Sequence, residues 1–181
     1  MTFRILRFLL VLWAALGAGL PAVAVPPGEY QIKAAYILNF ARYVEWPAAR
    51  LPGGAVLRVC LLGRDPFDGA LHGIDGRLVQ GHEVRVRQAD SLEQAVDCHV
   101  VFVAESEERR TGLILRTLAG RGVLTVSDID GFAEAGGGIG LVTEEDRVRF
   151  DINQAALTRD TLKASSQLLR LGRNVFGLKG L

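Results

Sequence analysis

The sequence lacks several features that define specialised classes of protein. Only two cysteines occur in 181 residues, too few for a scaffold held together by many disulfides. Lys and Arg total 21 against 20 Asp and Glu, so the chain lacks the excess positive charge of nucleic-acid-binding domains. The chain has no internal repeat or low-complexity stretch, and 49 % of its residues are hydrophobic. These values predict one globular domain with its own core.

Motifs for catalysis and for metal binding are also missing. The sequence has no G-x-S-x-G, C-x-x-C or H-x-x-x-H pattern. The three histidines, His72, His82 and His99, lie outside the predicted strand-end loops, so we expect no histidine base beside a serine there. The glycines at 136–138 precede a predicted strand, whereas a phosphate loop leads into a helix. The sequence therefore predicts a non-enzymatic binding or interaction protein without cofactor or metal.

The one long hydrophobic run lies near the N-terminus. Arg4 and Arg7 precede an uncharged apolar stretch at 8–20, which is followed by the small residues Ala22 and Ala24 in an A-x-A pattern. This order is typical of a secretory signal peptide. We therefore expect a signal peptide at 1–24 and a periplasmic domain at 25–181, with an uncleaved membrane anchor as the less favoured alternative.

Export bears on the two cysteines, Cys60 and Cys98. In an oxidising compartment they can form one disulfide. Two buried free thiols are the alternative, because cysteine is also a favoured core residue. Export favours the bridge, although the approach of the two residues depends on the register of their strands.

Hydrophobic periodicity predicts the fold class. Continuous apolar runs that alternate with helices indicate an α/β domain of three layers, with a mixed, partly parallel sheet and helices on both faces. The predicted helices include 29–45 and 107–119, the predicted buried strands are 56–62, 98–104 and 123–126, and a predicted antiparallel hairpin spans 139–143 and 147–152.

Polar residues that follow the predicted parallel strands form a candidate ligand site. Such loops meet at one edge of a sheet, where ligands of α/β domains bind. The candidates are Arg64, Asp65, Glu105, Ser106, Ser127 and Asp128. The alternative interpretation is that these residues only cap helices and form turns.

Aromatic residues of the first helix form a second candidate site, for a protein partner. Tyr36, Phe40 and Tyr43 give this helix many large apolar groups, which either contact a partner or pack into the core. Glu134 and Gln167 in the C-terminal half are further candidate partner contacts.

Five stretches, in order along the chain, resemble the YfiR-like family, also called the domain of unknown function 4154. Each stretch is weakly specific alone, but together and in this order they are specific. They are YQIKAAYILNFARYVEWP at 30–47, VCLLG at 59–63, DCHVVFV at 97–103, LTVSD at 124–128 and VRFDIN at 148–153.

The resemblance implies a function that the residues alone do not reveal. It implies a periplasmic repressor that binds the periplasmic part of an inner-membrane diguanylate cyclase and lowers cyclic-di-GMP. It also implies a homodimer, a peptidoglycan-associated lipoprotein as a further partner, and a disulfide between Cys60 and Cys98. A periplasmic sensor that binds a small ligand at the strand-end loops is the alternative function.

Overall fold

The computed structural model describes residues 28–177, so the predicted signal peptide lies outside the described residues. The helices are α1 (Glu29–Tyr43), α2 (Leu92–Val96), α3 (Thr111–Leu118), α4 (Gln154–Arg159) and α5 (Ser166–Leu171). The strands are β1 (Val44–Glu45), β2 (Leu57–Leu62), β3 (Leu78–Val79), β4 (His82–Ala89), β5 (Val100–Val103), β6 (Leu124–Ser127), β7 (Ile139–Glu144), β8 (Arg147–Asn153), β9 (Lys163–Ala164) and β10 (Val175–Phe176). Short 3-10 helices span Ala70–Ile74 and Glu105–Arg110.

Eight of these strands form one mixed sheet. Their order is β10-β8-β7-β6-β5-β2-β4-β3. Strands β4, β2, β5, β6 and β7 run parallel, whereas β8 is antiparallel to β7 and β3 is antiparallel to β4. The predicted mixed, partly parallel sheet is confirmed.

The centre of the sheet is buried on both faces. Every residue of β5 and β6 is buried. The residues of β5 alternate between two hydrophobic clusters, whereas both apolar residues of β6, Leu124 and Val126, lie in the first. On one face, Phe102 packs in a cluster with Ile37 of α1. On the other face, Val101 packs in a cluster with Ile114 of α3. The three-layer arrangement follows, because a strand without a wet face needs cover on both sides.

Two predicted helices differ from the observed ones at their ends. Helix α1 ends at Tyr43 rather than Glu45, because Val44 and Glu45 pair with β9 in a separate two-stranded sheet. The predicted helix at 107–119 is an α-helix only over Thr111–Leu118. The polar segment before it forms a 3-10 helix in which no residue is buried. Within residues 28–177, no helix has the length and apolar character needed to span a membrane.

The disulfide between Cys60 and Cys98 is confirmed. Cys60 lies on β2, and Cys98 lies just before the neighbouring strand β5, with a Cα–Cα distance of 6.1 Å. Both residues are fully buried in the cluster under α2 and α3. The Arg87 guanidinium covers the bridge, with its nitrogens 3.3 Å from Cys60 Sγ and 3.4 Å from Cys98 Sγ. The bridge therefore holds two adjacent strands together inside the core.

We expect the double variant Cys60→Ala/Cys98→Ala to be less stable than the oxidised wild type by about 2–5 kcal/mol. The reason is that the closed loop restricts the unfolded chain, and the lost bridge also leaves space in the core. Urea denaturation measures the difference, with reduced wild type as the matched control. Equal urea midpoints for the oxidised wild type and the double variant would contradict this expectation.

Candidate functional site

The parallel strands β2, β5 and β6 end at one edge of the sheet, where the predicted ligand residues gather. A cleft of about 360 Å³ at this edge is lined by Tyr30, Arg64, Asp65, Pro66, Glu105, Ser106 and Glu108. An adjoining cleft of about 220 Å³ is lined by Tyr30, Lys33, Glu105, Glu108, Asp128, Ile129 and Asp130. Three residues line both, so we treat them as one feature, the strand-end cleft.

A buried lysine joins helix α1 to this cleft. Lys33 is only 4 % exposed, and its Nζ lies 2.7 Å from Glu29 Oε1 and 2.7 Å from Asp128 Oδ2. Burial by itself would lower the pKa of Lys33, but the hydrogen bonds to Asp128 and Glu29 outweigh it and the pKa is raised. The ammonium group therefore remains charged and neutralises the carboxylates beside it.

Only one of the two carboxylate oxygens of Asp128 has hydrogen-bond partners among the described residues. Its Oδ2 accepts hydrogen bonds from Lys33 Nζ and from the Tyr30 hydroxyl, the latter at 2.9 Å. Burial and this bond to Asp128 raise the pKa of Tyr30, so the hydroxyl keeps its proton. Asp128 Oδ1 is buried and has no hydrogen-bond partner among the described residues. A buried oxygen without a partner is unfavourable, so a donor group of a ligand would be stabilised here.

The structure contradicts the predicted ligand-binding role of Ser127. It is fully buried, and its hydroxyl donates to the Val103 carbonyl at 2.7 Å and accepts from the Ile129 N–H at 3.0 Å. Strand β6 extends one residue further than predicted, so Ser127 lies within the sheet. Its prediction as a ligand-binding residue is wrong, because it secures the β6 loop and does not line the strand-end cleft.

Two residues that line the cleft also stabilise its loops. The Ser106 hydroxyl accepts a hydrogen bond from the Arg64 N–H at 2.8 Å, which joins the loop after β5 to the loop after β2. Asp65 Oδ1 accepts from the Phe67 N–H at 2.7 Å, which forms a turn. The alternative interpretation, that the candidate side chains form turns and caps, therefore fits the hydrogen bond of Asp65 but not that of Ser106.

The structure contradicts the predicted partner contact at Phe40. It is fully buried, and its ring lies 5.0 Å from the Phe150 ring between centroids. The helical repeat places Phe40 on the same inward stripe as Ile37, so it packs in the core and cannot contact a partner. Tyr36 and Tyr43 are half-buried, and Glu134 and Gln167 are exposed, so these four reach the surface.

Sequence reasoning missed Tyr30 and Lys33. The available signal was Lys33 itself, which lies on the apolar stripe formed with Ile37, Phe40 and Val44. A lysine on a buried stripe needs an opposite charge, and Glu29 supplies only a half-exposed one. The second partner, Asp128, is 95 residues away in the chain, so no local pattern reveals it.

The chemistry available at the strand-end cleft is that of a polar binding site. Carboxylates, one tyrosine hydroxyl and Arg64 can hydrogen-bond to a small polar ligand. Among residues 28–177, no three His, Cys, Asp or Glu side chains are grouped to hold a metal ion. His99 is buried elsewhere, beside Trp46, and burial lowers its pKa to about 4.

We expect Lys33→Met to lower the free energy of unfolding by about 3–5 kcal/mol, because it leaves the buried Asp128 without an opposite charge. Lys163→Met, which changes an exposed lysine on β9, is the matched control and should change stability little. Urea denaturation measures both. Similar losses in the two variants would show that the buried ion pair does not hold α1 to the cleft.

Comparison with solved structures places the fold among α/β domains. A conserved domain protein from Vibrio cholerae O1 biovar El Tor matches with a TM-score of 0.53 and 9 % identity, over 81 % of this chain and 60 % of that one. An ABC domain from Streptococcus pneumoniae, solved in complex with L-Trp, matches with a TM-score of 0.54 and 8 % identity, over 79 % of this chain and 60 % of that one. The chain thus spans less than two thirds of each relative, and these identities show a shared fold alone.

Comparison with family models gives a more specific result. A model of the YfiR/HmsC-like family, DUF4154, matches residues 30–173. The match includes all five stretches that resemble this family, and it spans nearly all of α1, the strand-end cleft and most of the sheet. The chain belongs to the YfiR/HmsC-like family.

Proposed function

We propose that this protein is a periplasmic regulator that binds the periplasmic part of an inner-membrane diguanylate cyclase and inhibits it. The observation that carries the proposal is the family match over residues 30–173. Membership of this family indicates a periplasmic regulatory protein, and the predicted signal peptide at 1–24 agrees with export. The regulator acts by binding and does not itself catalyse a reaction.

Inhibition by binding requires that the regulator prefer one state of the cyclase. A protein that binds an inactive conformation more tightly than an active one shifts the population towards the inactive one. A peptidoglycan-associated lipoprotein that competes for the regulator would then release the cyclase. The surface residues Tyr36, Tyr43, Glu134 and Gln167 remain candidate contacts, and the regulator acts as a homodimer.

Deletion of the gene should raise cyclic-di-GMP, because the cyclase is no longer inhibited. The rise should be absent in a strain that also lacks the cyclase, and purified protein should retain the cyclase's periplasmic region in a pull-down.

Glu134→Arg should weaken binding to the cyclase's periplasmic region, whereas Glu93→Arg on the exposed surface of α2 is the matched control. Unchanged cyclic-di-GMP in the deletion strain, together with no retention in the pull-down, would overturn the proposal.

A small-ligand sensor is the second candidate function, and one observation favours it. The strand-end cleft contains a buried carboxylate oxygen, Asp128 Oδ1, that lacks a partner among the described residues. The structural relative from Streptococcus pneumoniae, solved in complex with L-Trp, shares only the fold.

A panel of amino acids and amines at millimolar concentration tests the sensor. A ligand of the strand-end cleft should raise the melting temperature of the wild type, because it binds the folded state alone. The shift should be lost in Arg64→Ala, a residue of the cleft, and kept in Arg116→Ala on α3. A shift of equal size in both variants would place the ligand outside the cleft and contradict the sensor.

A further inference from the structure

A second cleft lies between α1, β8 and the end of α5. It has a volume of about 500 Å³ and is lined by Tyr36, Arg147, Val148, Arg149, Phe150, Arg170, Leu171, Gly172 and Arg173. Four of these residues are arginines, and among the described residues no Asp or Glu lines it. We call it the arginine cleft.

Most of the positive charge in the arginine cleft is uncompensated. Arg173 is paired with Asp151, at 2.5 Å, and with Glu144. The hydrogen bond from Arg173 is the largest cause that keeps the pKa of Asp151 below its ordinary value. The other three arginines are exposed, and none forms an ion pair with a residue in the described part of the chain. The cleft therefore attracts negative charge.

The floor of the arginine cleft is the outer edge of β8. Strand β10 pairs with β8 at Ile152 and Asn153. Further back along this edge, the Phe150 carbonyl accepts from the Arg173 N–H, and the Val148 carbonyl accepts from the Tyr36 hydroxyl at 3.1 Å.

The main chain after α5 already lies along this edge. Besides the bond from the Arg173 N–H to the Phe150 carbonyl, the Ile152 N–H donates to the Asn174 carbonyl at 2.9 Å. No further strand fits beside Phe150, so the groups that the arginine cleft offers to a ligand are its side chains.

We propose that the arginine cleft binds an extended acidic segment of a partner protein. Its carboxylates would pair with Arg147 and Arg149 on one face of the sheet and with Arg170 on the other. The inference rests on the proposed function only for the identity of the partner as the cyclase.

An apolar contact also fits this occupant. Leu171 is 63 % exposed at the rim of the cleft, next to the half-buried Tyr36 that the sequence identified as a candidate partner residue. An extended segment that alternates acidic and apolar residues would cover Leu171 and reach the arginines at the same time.

A second copy of this chain is a poor occupant of the arginine cleft. If the clefts of two copies faced each other, Arg147 and Arg149 of one copy would approach the arginines of the other. Like charges at close range repel each other. The charge of the cleft therefore favours an acidic partner over a homodimer at this place.

The first test uses a short fluorescent peptide in which Glu and Val alternate. It should bind the full-length mature protein, and binding should weaken about tenfold or more in Arg149→Glu and in Arg170→Glu because attraction becomes repulsion. Arg116→Glu, the same charge change on α3, is the matched control and should bind as the wild type does. A peptide with Lys in place of Glu should not bind, because its charges repel the arginines of the cleft. Melting curves confirm that each variant folds.

The second test uses the periplasmic region of the cyclase in place of the peptide. Weaker binding by Arg149→Glu than by Arg116→Glu supports the inference. If the wild type binds the cyclase region and Arg149→Glu binds it equally well, the inference is overturned while the proposed function stands. If the wild type binds only the acidic peptide, and does so through Arg149, the proposed function fails and the cleft serves another acidic partner. Equal peptide binding by Arg149→Glu and Arg116→Glu, or no peptide binding by the wild type, overturns the inference.

Discussion

The burial of β5 and β6 on both faces is the constraint on which the rest of the structure depends. Neither strand has a wet face, so the chain must place α1 on one side of the sheet and α3 on the other. Parallel neighbours also bring their carboxyl ends to one edge. The strand-end cleft lies at that edge, where Lys33 of α1 forms an ion pair with Asp128 of the loop after β6.

The parts of the fold that depend on local patterns could be predicted from the sequence. Runs of β-branched and apolar residues marked the central strands, and the Glu-Glu-Asp link between two alternating stretches marked the hairpin of β7 and β8. The gathering of Arg64, Asp65, Glu105 and Ser106 followed from the parallel direction of the strands alone. These predictions needed residue type and spacing and no knowledge of distant contacts.

The remaining features depend on residues that are distant in sequence or on single-residue shifts. Ser127 was predicted to lie in a loop, but β6 extends one residue beyond the predicted end, so its side chain is buried within the sheet. The pairing of Lys33 with Asp128 joins residues from opposite halves of the chain. The arginine cleft likewise combines β8 with α5 and the segment after it, which approach each other only because β10 returns to the sheet beside β8.

The disulfide has a consequence for the order in which the protein folds. Since the chain has only two cysteines, a single intramolecular pairing exists, and oxidation needs an electron acceptor but no enzyme that reshuffles wrong pairs. The bridged loop of 38 positions contains β4 and α2 and ends before β6. The bridge can therefore close covalently before the segments that form β7, β8 and α5 have folded.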